Sequence, residues 1–350
     1  MDSNTSNGLV ICDITARNES RQPPTFVTPD QLAEAAALFP KPADTRNPVK
    51  YTLELTPGSV RLTKRSLVRR SAEKSNYKPR TLIHEWSRKS RANMVARLCS
   101  LDYRPLLSMP ETMPGLITLT YPGDWKTVAP NGETVKRHLK LFRSRFERRW
   151  GIPLRAIWKM EFQRRGACHF HLFAAVPMSE DFAIWLSTSW AEIVGHPDPL
   201  ERSRHQSAGT GLDFEAGFRA TDAKRVATYF SKHNSPNYGS KEYQNQPPAE
   251  WQESGRIGRF WGYWHLEPLT IRVAITEANA LKVSRMLRRW SRANAPHQRR
   301  EVFRTCQRTG RRKRRWVTRR GRPRMASRLG FLSVSDGAEM GTLLARGVDY

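Results

Sequence analysis

The chain has 350 residues and a formal net charge of +28, because 60 lysines and arginines outnumber 32 aspartates and glutamates. That excess indicates a polyanionic partner, with nucleic acid favoured over an anionic membrane surface. The sequence has no apolar run near the roughly 20 residues that span a bilayer and no signal peptide, so we expect a cytoplasmic protein without a membrane role. It has no C-x-x-C pair, so we expect its cysteines to be reduced. It has no G-x-x-x-x-G-K-[ST] loop, so we expect no nucleotide-driven motor.

The predicted elements divide the chain into three regions. Residues 1–80 are polar and predicted to be partly disordered, residues 81–293 to form a folded domain with a preceding helix, and residues 294–350 to form a basic arm and tail. In the folded domain the predicted order is strand, helix, hairpin, helix, strand, helix, strand, helix. Because a hairpin needs antiparallel neighbours, we expect an α+β fold with helices packed on a central sheet.

Hydrophobic spacing predicts the individual elements in chain order. The segment LITLTYP is short and β-branched, which is typical of a buried strand. Four apolar residues at helical spacing then line one face of a basic helix, namely Val135, Leu139, Phe142 and Phe146. Residues 156–177 predict two strands around a turn, GLDFEAGF a short strand, and TDAKRVATYFSKH a short helix. The run RRKRRWVTRRGRPR predicts a solvated basic arm.

Two histidines in GACHFHLF are candidate metal ligands. Successive strand residues alternate between faces, so His169 and His171 point the same way, while Cys168, Phe170 and Leu172 point into a core. Two imidazoles on one face can bind a metal ion. Because the chain has nine histidines, the pair alone is weak evidence and a third ligand is needed.

The turn before the histidines supplies a candidate third ligand. If RRG at 164–166 is a three-residue loop ending in a left-handed glycine, Glu161 lies opposite His169 on the histidine face. A two-residue loop would place Glu161 on the other face, and Asp213 and Glu215 would be the next candidates. One carboxylate and two imidazoles leave positions open for water and substrate, as in catalytic metal sites. Such a set could also hold iron, but the basic charge and the tyrosine helix favour phosphodiester chemistry.

The helix KRVATYFSKH carries a possible nucleophile. Tyr229 and Lys232 are three residues apart and share a helix face. An ordinary amphipathic helix, with Val226, Tyr229 and Phe230 in the core, explains the same pattern. A tyrosine with a pKa near 10 is a poor nucleophile, whereas a nearby cation favours its phenolate and a metal polarises a phosphodiester. Together these groups could cleave one DNA strand by transesterification.

Three blocks in order, LITLTYP, CHFHLF and YFSK, resemble the motifs of HUH endonucleases, the rolling-circle replication initiators of small phages and plasmids. Within that superfamily, KMEFQRRGACHFHLF and GRFWGYW are most similar to the phage gene II and plasmid replication-protein branch. The match covers residues 112–275, about half the chain. The resemblance implies a ferredoxin-like antiparallel sheet with the histidine pair on its central strand, Mg²⁺ or Mn²⁺ as cofactor, and a 5′-phosphotyrosyl intermediate.

The resemblance also implies roles for individual residues. It makes Glu161, His169 and His171 the metal ligands and Tyr229 the nucleophile, with Lys232 lowering the tyrosine pKa or steadying the phosphate. Some relatives carry a second tyrosine one helical turn earlier, where this chain has Arg225, so we expect a one-tyrosine enzyme. Tyr238 repeats the Y-x-x-K spacing between Pro236 and Lys241 and is a minor candidate. These roles leave the natural metal and the oligomeric state open.

The expected function is nicking and rejoining of one strand at an origin of replication. The partners would be single-stranded or supercoiled origin DNA, a host polymerase that extends the released 3′-hydroxyl, and a host helicase. A relaxase or single-tyrosine transposase would use the same chemistry, and a DNA-binding repressor could keep the fold without activity. A solvated tail without a dedicated site would have the same composition as the basic arm. We expect the arm to contact DNA phosphates through Arg311, Arg312, Lys313, Arg314, Arg315, Arg319 and Arg320.

Overall fold

The structure is a computed structural model that describes residues 26–40, 51–64, 83, 86–107, 111–218, 222–231, 244–254, 257–294, 297–306, 309–320 and 330–349. The chain forms two compact units. The first contains Met1–Phe26 and Lys74–Leu269, and the second contains Val27–Glu73 and Thr270–Tyr350. Within the described ranges, every helix is too short or too polar to span a bilayer.

The helices and strands are numbered in chain order over the described residues. The helices are α1 Pro29–Ala37, α2 Arg88–Ser100, α3 Trp125–Val128, α4 Gly132–Trp150, α5 Asp181–Val194, α6 Pro199–Ala208, α7 Phe214–Phe218, α8 Ala223–Ser231, α9 Ala249–Ser254, α10 Glu277–Ala293 and α11 Gly337–Asp349. The strands are β1 Tyr51–Thr56, β2 Ser59–Lys64, β3 Thr112–Leu119, β4 Ala156–Phe162, β5 Cys168–Pro177, β6 Thr210–Asp213, β7 Trp261–Trp264, β8 Ile271–Ile275, β9 His297–Thr305, β10 Arg312–Arg320 and β11 Phe331–Ser333.

The first unit is built on a five-stranded sheet in the order β6-β3-β5-β4-β7. Every neighbouring pair is antiparallel, and β5, which carries both histidines, is the middle strand. The predicted α+β class and the antiparallel sheet are therefore confirmed. The strand predicted for GLDFEAGF is right only for its start, because β6 ends at Asp213 and α7 begins at Phe214.

The turn between β4 and β5 has the predicted three-residue geometry. Gly166 has a φ of +84°, in the left-handed region that favours glycine. The Gln163 N–H donates to the Ala167 carbonyl at 2.8 Å, and the Gly166 N–H donates to the Gln163 carbonyl at 2.9 Å. The Arg165 guanidinium donates to carbonyl oxygens in the 121–123 segment, which fastens the loop to the end of β3.

Helices α4 and α5 cover the sheet face that carries Phe170 and Leu172. All four apolar residues predicted to line α4 are buried, which confirms the helical spacing: Val135, Leu139, Phe142 and Phe146. They share one core with aromatic residues of β4, β5 and α5. Each fully buried side chain of this size contributes about 1.5–3 kcal/mol to folding. Cys168 lies in the same core, and burial raises the pKa of its thiol to about 12.

The opposite face of the sheet carries the histidines and is where α2 and α8 pack against each other. Tyr103 follows α2 and contacts the ring of Phe173 on β5, with ring centroids 6.5 Å apart. Cys99 on α2 is buried, and burial raises its pKa to about 12. At the start of α8, the Asp222 carboxylate accepts a hydrogen bond from the Arg225 N–H at 2.8 Å, which caps the helix.

The second unit contains a four-stranded antiparallel sheet in the order β11-β2-β1-β8. Helices α1, α10 and α11 pack in this unit, and the strands contribute buried leucine and valine side chains from Leu53, Leu55, Val60, Leu62 and Leu332. The two units differ from the predicted division at residues 80 and 293, because β1 and β2 pair with strands from the last third of the chain. Residues 1–25, 41–50 and 65–80 of the region predicted to be partly disordered lie outside the described residues.

The predicted solvated arm is a β-hairpin over its described residues. Strands β9 and β10 pair antiparallel in a register that runs from Arg312 opposite Thr305 to Arg320 opposite His297. At the turn the Cys306 N–H donates to the Arg311 carbonyl at 2.9 Å, and Gly310 has a φ of +61°. The arm prediction rested on charge alone and overlooked the β-forming residues VF in β9 and WVT in β10.

Candidate metal centre

Three donor side chains meet on the face of the sheet that α2 and α8 cover. Glu161 on β4 pairs with His169 on β5, as the three-residue loop predicts, and the alternative two-residue loop is wrong. His169 Nε2 lies 3.1 Å from His171 Nε2. Glu161 Oε2 lies 3.7 Å from His169 Nε2 and 3.6 Å from His171 Nε2. Within the described part of the chain, this is the single cluster of three or more His, Cys, Asp and Glu side chains with metal-site spacing.

The three donor atoms fit one divalent cation. A triangle with sides of 3.1, 3.6 and 3.7 Å has its centre about 2.0 Å from each corner. Bonds from Mg²⁺ or Zn²⁺ to nitrogen and oxygen ligands measure about 2.0–2.2 Å. The Glu161 side chain is 1% exposed and that of His171 is 20% exposed, so the site opens toward solvent on the His171 side. The arrangement suits an ion that is held by the protein and keeps positions for water or substrate.

A threonine on β3 orients His171. Thr118 pairs with His171 across the sheet, and its Oγ1 lies 3.1 Å from His171 Nδ1. When Nδ1 carries the proton it donates to the hydroxyl, and the Nε2 lone pair then faces the donor cluster. Sequence reasoning missed Thr118, although its position in the strand LITLTYP was the available signal.

A buried lysine supports the carboxylate. Lys159 is 1% exposed and forms an ion pair with Glu161 Oε1. Its Nζ also donates to the Phe230 carbonyl oxygen at 2.8 Å. Burial lowers the pKa of Lys159, and the charge of Glu161 opposes that shift. Sequence reasoning missed this residue too, although K-M-E spacing on a strand places lysine and glutamate on the same face.

Tyr229 lies beside this cluster on α8. The helix buries Val226, Ala227 and Phe230, which leaves Tyr229 half-buried at its edge. Burial raises the pKa of Tyr229 to about 12, and the charges of Glu161 and Asp213 add to that shift. The described surroundings therefore favour the protonated phenol, whereas a nearby cation was expected to favour the phenolate.

The remaining predicted site residues lie elsewhere in the chain. Lys232 and Tyr238 fall outside the described residues. The seven predicted DNA contacts belong to the second unit, where Arg311 precedes β10 and the other six form part of that strand. Among them, Arg311, Arg312 and Arg314 are exposed.

The segment that holds the donor cluster is similar to known proteins. Residues 114–235 match the family described as Replication-associated protein ORF2/gene 2 protein. The chain is similar to this replication-associated family over that segment, which is about a third of its length. The matched segment runs from β3 past the end of α8, so it contains the three donor side chains together with Tyr229 and Lys232. The predicted resemblance to the phage gene II branch is confirmed at the level of this family.

A phage protein supports the same assignment over a longer stretch. The replication-associated gene 2 protein of Pseudomonas phage Pf3 is 27% identical to this chain over 223 residues, which is 62% of this chain and 71% of the phage protein. No solved structure matches the chain. Both comparisons thus relate the segment that carries the donor cluster to phage replication-associated proteins.

Proposed function

We propose that this protein initiates rolling-circle DNA replication by nicking and rejoining one strand of origin DNA. The observation that carries the proposal is the tyrosine helix α8 beside three convergent donors on one sheet face. An antiparallel sheet with both histidines on its middle strand supports an HUH endonuclease fold. The similarity of the same segment to the replication-associated family supports a role in replication.

Glu161, His169 and His171 would hold Mg²⁺ or Mn²⁺. A bound divalent ion supplies polarisation of the phosphodiester and compensation of the negative charge that develops during the displacement. Glu161 contributes a negative charge that attracts the cation, and Thr118 keeps His171 Nε2 directed at the site. A DNA strand would reach the cluster from the His171 side, where the site opens toward solvent.

Tyr229 would be the nucleophile. Its phenol oxygen attacks the phosphorus while its proton passes to water, so the new O–P bond forms as the bond from phosphorus to the 3′ oxygen breaks. The 3′ oxygen takes up a proton and leaves as a hydroxyl, and the 5′ end stays on the tyrosine. One phosphodiester replaces another, so no nucleoside triphosphate is consumed and the reverse step rejoins the strand. Lys232, three residues later in the sequence, would steady the phosphate or lower the pKa of Tyr229.

The proposed partners follow from this product. The released 3′-hydroxyl would prime a host DNA polymerase, and a host helicase would separate the strands because the chain carries no P-loop motif of its own. The basic residues of β10 would add sequence-independent phosphate contacts to single-stranded or supercoiled origin DNA.

The test is formation of a covalent protein–DNA adduct. Purified protein is incubated with labelled single-stranded origin DNA and Mn²⁺, and the adduct is resolved on a denaturing gel. Tyr229→Phe should abolish the adduct and retain DNA binding, because only the nucleophilic oxygen is lost. Tyr263→Phe on β7 is the matched control and should leave the adduct unchanged.

Three outcomes would overturn parts of the proposal. An adduct that persists in Tyr229→Phe and disappears in Tyr238→Phe moves the nucleophile. Equal activity of the native protein with and without a chelator would exclude a role for the metal. If the metal is required, replacing both His169 and His171 by alanine should eliminate metal-dependent cleavage without unfolding the protein. DNA binding without an adduct in any metal would leave a non-enzymatic DNA-binding protein.

A further inference from the structure

We propose that Lys159 is a positioning residue that ties the carboxylate ligand to the helix carrying the nucleophile. The inference rests on the proposed function, because it assigns Glu161 to the metal and Tyr229 to the reaction. Lys159 lies on β4 and makes two contacts, one to Glu161 and one to the main chain of α8. A single ammonium group thereby joins two elements that must hold a fixed separation during phosphoryl transfer.

The first contact sets the orientation of the carboxylate. Lys159 Nζ donates to Glu161 Oε1, so the other oxygen, Oε2, is the one directed at the imidazoles, at 3.6 and 3.7 Å from their Nε2 atoms. Carboxylates that bind metals are commonly held by a hydrogen bond to the oxygen that does not face the ion. Without this donor the carboxylate can rotate, and the spacing of the three donors is lost.

The second contact fixes the end of α8. Lys159 Nζ donates to the Phe230 carbonyl oxygen at 2.8 Å. Phe230 is the residue after Tyr229, and its carbonyl lies in the last turn of the helix, where backbone oxygens have no partner within the helix. A cation is stabilising at this end of a helix. The contact therefore holds the backbone of the nucleophile's own turn against the carboxylate.

Burial makes the Lys159 contact a rigid one. The Lys159 side chain is 1% exposed, and its Nζ lies 5.6 Å from the centre of the Trp86 ring. An exposed lysine samples many rotamers, whereas this one is confined by the ring, the carboxylate and the carbonyl. Displacement of either contact group is thus transmitted to the other through the ammonium.

Lys159→Met tests the inference, because methionine fills a similar volume without donors. In the metal-free full-length protein, hydrogen exchange is measured by mass spectrometry on peptides that cover α8. The variant should exchange at least about 10-fold faster there, since a hydrogen bond to a charged group is lost. In the nicking assay, the maximal rate of adduct formation at saturating Mn²⁺ should also fall about 10-fold or more. Glu161→Gln should instead recover most of its maximal rate at saturating Mn²⁺.

Phe142→Leu is the matched control for simple destabilisation. Phe142 is buried in α4 on the other sheet face, so this variant should lower overall stability while leaving α8 exchange and the maximal rate at their native values. Unchanged α8 exchange in folded Lys159→Met would overturn the inference, as would a maximal rate fully restored by Mn²⁺. If the native protein forms no adduct, the proposed function fails, and the exchange measurement still decides whether Lys159 fixes α8.

Discussion

The turn at Gly166 decides which face of the sheet Glu161 occupies, and replacing this glycine tests that dependence. Alanine at a φ of +84° adopts a left-handed backbone, which costs about 1–2 kcal/mol. Its added Cβ would also lie 3.3 Å from Cζ2 of the buried Trp125 ring, tighter than an ordinary contact. Crowding of that kind adds about 1–3 kcal/mol, so we expect Gly166→Ala to lower the free energy of unfolding by about 2–5 kcal/mol.

Gly151→Ala is the matched comparison. Gly151 ends α4 with a φ of +65°, and no described atom lies within 4 Å of an added Cβ. It should therefore lose about 1–2 kcal/mol for the backbone alone. Urea unfolding of the metal-free protein, followed by tryptophan fluorescence, gives both free-energy losses. Gly166→Asn should lose less unfolding free energy than Gly166→Ala, because asparagine tolerates the left-handed region. If Gly166→Ala loses no more than Gly151→Ala, the three-residue turn under Trp125 is wrong, and Glu161 loses its place beside the histidines.

Three further predictions concern the metal ligand, the basic hairpin and the thiols. Glu161→Gln should raise the Mn²⁺ concentration for half-maximal nicking by about 10-fold and Glu161→Ala by up to about 100-fold, and native metal dependence in both would make the residue purely structural. Replacing Arg312 and Arg314 by glutamine should make the slope of log affinity for duplex DNA against log salt shallower by about 1.8, whereas an unchanged slope would exclude phosphate contacts. In a Cys12→Ser variant, iodoacetamide at pH 8 should label Cys306 alone, because Cys306 is exposed and the two buried thiols have pKa values near 12.

The donor cluster was predictable because its geometry is local. Glu161, His169 and His171 lie on one hairpin, so strand alternation and the loop length fix their common face. Thr118 and Lys159 were missed for different reasons. Thr118 acts across a strand pair between residues far apart in sequence, and an isolated lysine in a strand gives no sign that it is buried until its partners on β4 and α8 are known.

The second unit was the least predictable part of the fold. Strand β1 alternates buried and partly buried residues, but its partner β8 lies more than 200 positions later in the chain. Propensity and local periodicity carry no information about such pairings. The prediction for the β9–β10 hairpin was wrong for the opposite reason, because the high positive charge of the segment concealed a local strand pattern that was present in the sequence.

The order in which the ribosome releases this chain has a consequence for how the second unit forms. Strands β1 and β2 leave the ribosome first, whereas 214 residues separate the end of β1 at Thr56 from the start of β8 at Ile271. At about 5–20 residues per second, the early hairpin waits roughly 10–40 seconds for its partner. A two-stranded hairpin is marginally stable by itself, while the segment between the two halves of the second unit can complete its own sheet during that interval. Synthesis that stops near Leu269 would release a finished first unit with the β1–β2 edges exposed to pairing with other chains, so premature termination should lead to aggregation through the second unit.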